Sequence, residues 1–301
     1  MMKRTFSAVY ILAALAGFYY AYTVLEPDLS WPHTPSYSLL ALLILAQLGY
    51  WLLAALSWGI TLKACSSHSL SLFESLLQVG VTALGKYIPG KVWGVLARSV
   101  RITGSLKGSA SVWEASVIEQ IAVLHTGTCL GTCLFLAFSS THFYAGLAAL
   151  LSLASVPIAS FFIRSCIAFL AKRTQREEQK FEKRSYTVIY CKVFIAYFIL
   201  WLAAGLLMTS VTAFFLNREV TLHLCFLCIA ANAFGGVAGF LALFAPSGLG
   251  VRELASGLLL QFSFSPADVF LIVVWFRLWI LTADLLLGLL TLFYKRQDSP
   301  A

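Results

Sequence analysis

The chain has 301 residues, 60% of them apolar and 11% charged, where a soluble domain carries about 25% charged and about 45–50% apolar residues. That balance excludes a water-soluble fold and a disordered chain, and seven cysteines, sparse and odd in number, exclude a secreted disulfide scaffold. Lys and Arg number 21 against 13 Asp and Glu, a net charge of +8; most of these charges lie between apolar runs, which points to positive-inside topology and anionic lipid headgroups, not to nucleic acid.

An α-helical span needs about 20 mostly apolar residues, and six runs qualify: 7–25, 38–62, 112–138, 143–163, 187–214 and 267–293. None alternates as a membrane strand would. The run 7–25 follows Lys3 and Arg4 as a signal peptide would, but no small-residue cleavage site precedes Glu26-Pro27-Asp28, so it is expected to be retained. Basic residues set the orientation. Arg164, Lys172, Arg173, Arg176, Lys180, Lys183 and Arg184 share one loop, and Lys3, Arg4, Lys63, Lys295 and Arg296 join it on the same side, whereas the opposite loops hold only Arg218. Both termini are therefore expected in the cytoplasm, and the chain in the cytoplasmic (inner) membrane.

Two stretches, 70–103 and 222–262, are neither loop nor simple span. The first is interrupted by Gly85-Lys86-Tyr87-Ile88-Pro89-Gly90-Lys91-Val92-Trp93-Gly94, the second by Pro246-Ser247-Gly248-Leu249-Gly250-Val251-Arg252-Glu253. In each, the limb after the break is too short to cross a hydrocarbon core about 30 Å thick. Two re-entrant hairpins account for this, and they keep every basic loop on one side. The spacing suggests duplication, since Pro89 precedes Glu119 by 30 residues and Pro246 precedes Arg277 by 31. The expected fold is thus an all-α integral membrane protein with six transmembrane helices plus two re-entrant helical hairpins. They form an inverted repeat, 1–140 and 141–301, each half with three spans and a hairpin. Transporters of that design place the substrate site at the repeat interface. A bundle merely kinked at its Pro/Gly breaks is the plainer alternative.

Charges at membrane depth cost at least about 2.5–3.5 kcal/mol each on insertion scales, so those retained face a cavity or a partner. Lys86, Lys91, Arg98, Arg101, Arg252 and Arg277 outnumber the acids Glu74, Glu119, Glu253 and Asp284. Arg277 and Asp284 lie seven apart, on one helical face. At the breaks, Pro89 and Pro246 remove N–H donors, while Gly90, Gly248 and Gly250 permit close backbone approach; these five are expected hinges. The candidate substrate contacts are Lys86, Tyr87, Lys91, Arg98, Arg252 and Arg277, cations suited to a phosphate or pyrophosphate headgroup. Glu119 and Glu253 would carry a coupling proton or balance charge. Internal pairing of these same groups as structural glue is the competing explanation.

The two break motifs, with Arg98 and Arg277, resemble the lysylphosphatidylglycerol synthase transmembrane-region family over nearly the whole chain. The resemblance implies a flippase-like, lipid-translocating domain whose two motif loops meet near its centre. It also implies links to aminoacylated phospholipids, polyprenyl-linked sugars or envelope polysaccharides, and so to envelope or polysaccharide synthesis enzymes as partners. The family pattern leads one to expect an acid–arginine pair in the third span; here Glu119 is followed by Gln120. No soluble aminoacyl-transferring domain follows before Ala301, so translocation without aminoacyl-lipid synthesis is the expectation.

No catalytic role, cofactor or metal is expected. The chain lacks a nucleotide-binding glycine motif, its histidines have no metal spacing, and Cys225 with Cys228, like Cys129 with Cys133, reads as buried packing. The best enzymatic alternative rests on Glu26 and Asp28, an acidic pair such as polyprenyl-phosphate-sugar-dependent membrane glycosyltransferases carry in an external loop. A non-transporting scaffold of an envelope-synthesis complex is the other alternative.

Overall fold

The computed structural model of the protein describes residues 36–65, 69–88, 93–103, 110–138, 142–173, 185–242 and 245–294, with positions 16, 19, 22 and 23 of the N-terminal run. Among the described residues all regular structure is helical. The elements are α1 (Tyr37–Cys65), α2 (Leu72–Gly85), α3 (Trp93–Thr103), α4 (Ala110–Phe138), α5 (His142–Arg173), α6 (Tyr186–Leu216), α7 (Leu222–Leu241), a 3-10 turn (Pro246–Gly248), α8 (Val251–Leu260) and α9 (Pro266–Phe293).

Among the described residues six helices are long and apolar enough to cross a membrane: Tyr37–Cys65, Val112–Ala137, Tyr144–Ser165, Tyr186–Leu216, Leu222–Leu241 and Pro266–Phe293. Five of them coincide with runs expected to span. The sixth, α7, is a candidate span of 20 residues, where the sequence suggested the first limb of a hairpin. The expected span 7–25 lies outside the described residues apart from positions 16, 19, 22 and 23, all helical. By contrast α2, α3 and α8 have 14, 11 and 10 residues, and at 1.5 Å per residue none exceeds about 21 Å.

Local chemistry explains where these elements start. Ser71 caps α2 by accepting from the Glu74 amide at 3.2 Å, and Glu74 Oε2 accepts from the Ser71 amide at 2.9 Å, so Glu74 is a capping residue. Thr221 Oγ1 accepts from the Leu224 amide at the head of α7, and Ser265 Oγ from the Asp268 amide at the head of α9. Glu253 Oε2 accepts from the Gly250 amide at 2.6 Å and so ties down the start of α8.

Packing interleaves the two halves of the chain: α1 lies against α6, α4 against α7, and α9 against α2. One apolar cluster joins Leu207, Met208, Leu227, Leu260, Ile272 and Phe276. A second gathers Trp58, Leu62, Ile118, Ile163, Tyr190 and Tyr197. Between these lie close crossings that only glycine allows. A Cβ on Gly85 would stand 2.3 Å from the Gly94 Cα, which brings α3 against the end of α2. A Cβ on Gly235 would strike Ser256 Oγ, and one on Gly239 would reach within 2.9 Å of the Arg252 Cβ, so α8 rests directly on α7.

Gly248 combines a positive φ of 70° with a contact in which an added Cβ would lie 2.7 Å from the Gly239 Cα. Gly248→Ala is expected to destabilise the fold by about 1–3 kcal/mol, whereas Gly49→Ala, inside α1 with nothing within 4 Å of its Cβ position, is expected not to destabilise it and to add up to about 1 kcal/mol. Thermal unfolding of the two variants in detergent measures the difference.

Candidate functional site

The two breaks touch. The Ser247 amide donates to the Lys86 carbonyl at 3.1 Å, and the Ser247 carbonyl accepts from Arg277 Nη2 at 3.3 Å. Ser247 therefore ties the end of α2, the turn before α8 and the middle of α9 together. It does so with a left-handed backbone, φ 51° and ψ 20°, a conformation that costs a non-glycine residue free energy and persists only where neighbours enforce it.

Charged side chains converge on this junction. Lys86 Nζ lies 2.5 Å from Asp284 Oδ2, and the Tyr87 hydroxyl donates to the same oxygen at 2.7 Å. Two turns away on the same face of α9, Arg277 Nε stands 3.4 Å from the buried Glu253 Oε1. The expected shared face of Arg277 and Asp284 is thus turned toward both breaks. Arg252 has no such carboxylate among the described residues. Its Nη2 donates to Asn232 Oδ1 at 2.9 Å, and its guanidinium lies 5.6 Å from the centre of the Phe276 ring.

Between the breaks lies a cavity of about 180 Å³ whose wall includes Thr82, Lys86, Gln120, Phe240, Ser247 and Arg252. Lys86 comes from the first break, Arg252 from the second, and Gln120 from the long helix α4. Two cations, an amide and two hydroxyl residues around a small volume form a wall whose chemistry suits an oxyanion. Nothing among the described residues groups three or more His, Cys, Asp or Glu as a metal site would.

Arg98 and Glu119 stand elsewhere. Arg98 is 1% exposed; its Nη1 donates to Glu119 Oε2 at 2.5 Å, and its guanidinium stacks 3.7 Å from the centre of the Trp58 ring. The Tyr197 hydroxyl completes the group by donating to Glu119 Oε1 at 2.8 Å. This closed set joins α1, α3, α4 and α6, and neither Arg98 nor Glu119 belongs to the cavity wall described above. Arg101 donates to the Thr291 carbonyl at 3.2 Å, at the end of α9.

Of the sequence-proposed residues, the structure gathers Lys86, Tyr87, Arg252, Glu253, Arg277, Pro246, Gly248 and Gly250 at the junction and holds Arg98 with Glu119 apart from it. Lys91, Pro89 and Gly90 lie outside the described residues, as do Glu26 and Asp28. Sequence reasoning did not identify Ser247, Asn232, Thr82 or Gln120 as parts of the site, and it weighed Asp284 only as a charge partner. Asn232 carried one usable signal, a carboxamide inside an otherwise apolar helix at 1% exposure.

These features define a multi-pass helical membrane protein with a polar, cation-lined junction between two broken elements. The chain belongs to the lysylphosphatidylglycerol synthase TM region family, whose model matches residues 6–288; this places it among lipid-related, flippase-like membrane proteins. Among curated proteins none matches the chain.

Removing one member of a buried ion pair costs about 3–5 kcal/mol, because the partner charge is left uncompensated, whereas replacing both by apolar residues is often neutral. Glu119→Leu alone is therefore expected to abolish folded protein. Arg98→Leu combined with Glu119→Leu restores it, as read by monodisperse yield on size-exclusion chromatography.

Proposed function

We propose that this protein translocates lipids with an anionic headgroup across the cytoplasmic membrane, in the service of cell-envelope biogenesis. The observation that carries this reading is the cavity shared by Lys86 and Arg252, one cation from each break. A headgroup phosphate seated there contacts both breaks at once, while its acyl or prenyl tail stays in the bilayer. Tyr87 and Arg277 flank the site through Asp284 and Ser247. Lys86 and Arg252 are the primary contacts, and the chain acts as a transporter, not as an enzyme.

The reading includes an inverted repeat with two re-entrant hairpins, α2–α3 and α7–α8, and cytoplasmic termini. The packing pattern supports duplication. When α1–α4 are exchanged for α6–α9, the neighbours recur: α1–α2 matches α6–α7, α2–α3 matches α7–α8, α1–α4 matches α6–α9, and α4–α7 matches α9–α2. The pairing of a hairpin charge with the following span recurs as well, Arg98 with Glu119 and Glu253 with Arg277. Rocking of one hairpin against the other around Gly248 and Gly250 then alternates access. Envelope or polysaccharide synthesis enzymes are the partners that would supply or consume such a lipid.

The test is a proteoliposome assay in which a fluorescent phosphatidylglycerol is quenched from one side. Protein-containing vesicles are expected to expose the inner-leaflet probe faster than empty ones. Lys86→Ala with Arg252→Ala is expected to slow that exposure at least about tenfold, the loss of one or two charge-assisted hydrogen bonds. Wild-type vesicles indistinguishable from empty ones would refute the function.

A further inference from the structure

The charges around the junction can be counted. Lys86 is neutralised by Asp284 at 2.5 Å and Arg277 by Glu253 at 3.4 Å. Arg252 is left with the neutral Asn232 carboxamide and the face of Phe276. The remaining polar wall, Gln120, Thr82 and Ser247, carries no charge. Among the described residues the junction therefore holds three cations and two carboxylates, a surplus of one positive charge facing a cavity of about 180 Å³.

A charge left uncompensated in a medium of low dielectric is costly, so a site with one surplus cation is completed by one negative charge and opposed by a second. We infer that the cavity selects headgroups bearing a single negative charge, phosphodiesters, over doubly charged phosphomonoesters, and that Asp284 sets this limit by holding Lys86. The inference rests on the translocation reading and narrows its substrate class. A phosphodiester is neutralised by Arg252 and takes only a hydrogen bond from Lys86, whose three N–H donors let it stay paired with Asp284. A phosphomonoester, which carries close to two negative charges above its second pKa of about 6, needs the charge of Lys86 as well and must compete with the Asp284 carboxylate for it. Gln120 contributes a donor to the wall without adding the second positive charge that an arginine there would supply.

The experiment compares two fluorescent lipids with the same acyl chains, phosphatidylglycerol and phosphatidate, in phosphatidylcholine proteoliposomes at pH 8. Like charges forced together cost several kcal/mol, and each 1.4 kcal/mol is tenfold, so wild-type protein is expected to move phosphatidylglycerol at least about tenfold faster than phosphatidate. Asp284→Asn, which keeps the side chain's shape and frees Lys86, is expected to bring the ratio to about one or to invert it. Equal rates in the wild type, or faster phosphatidate, would overturn the inference while translocation stands; so would an Asp284→Asn protein with an unchanged ratio. Movement of neither lipid would remove the translocation reading and this inference with it. The wild-type ratio decides even if the variant fails to fold.

Discussion

Taking an ion out of water into hydrocarbon is the constraint around which this molecule is organised. Each basic group in the interior must find a carboxylate, a carbonyl or a ring face, or stand beside a polar cavity. Arg98 has a carboxylate and a ring, Glu119 and Trp58, in a fully enclosed setting. Arg277 has Glu253 and the Ser247 carbonyl. Lys86 has Asp284. Among the described residues Arg252 has neutral partners and the cavity. Compensation falls from Arg98 to Arg252, and that gradation separates the enclosed, structural Arg98 from the two cations, Lys86 and Arg252, that line the cavity.

Close helix contact makes the arrangement possible. Arg252 reaches Asn232 because Gly235 and Gly239 leave no side chains between α7 and α8, and because Ser256 Oγ donates to the Ala231 carbonyl at 3.0 Å along the same seam. On the other side, Gly80 and Gly288 let α2 lie against α9, where Thr291 Oγ1 donates to the Leu77 carbonyl at 3.3 Å. That contact continues along the helices to Tyr87 and Lys86 on Asp284. In a bilayer, where lipid tails are as apolar as leucine, such small-residue seams and interhelical hydrogen bonds supply much of the specificity of packing. Ser247 then links the two seams through backbone groups alone.

Much of the fold was legible because hydropathy and length are strong signals: five candidate spans fall where the apolar runs predicted, and both breaks occur at their Gly/Pro clusters. The N-terminal residues of α2 and α8 were less transparent, since Glu74 and Glu253 read as membrane-depth charges but cap their helices. The helix α7 was legible, but its role was not, because a 20-residue apolar run before a break is compatible with a hairpin limb or a full crossing. Within the site, charge alone could not separate Arg98 from Arg252. Their sequence contexts are alike, a basic residue in a short helix after a break; the difference is whether α4 presents Glu119 or Gln120 to the space each occupies. Neighbouring positions on α4 point in different directions, and one sequence does not say which will be paired. Ser247 was invisible for another reason, since its contribution is made by the main chain.

The proposed function stands on Lys86 and Arg252 forming one anion site from two distant segments. Native mass spectrometry of the protein released from nanodiscs containing phosphatidylglycerol tests it most directly. Wild-type protein is expected to retain a bound phosphatidylglycerol that survives activation. Lys86→Gln and Arg252→Gln each weaken it, and the double variant, still monodisperse, releases it. Equal retention by the wild type and the double variant would show that Lys86 and Arg252 do not form the anion site.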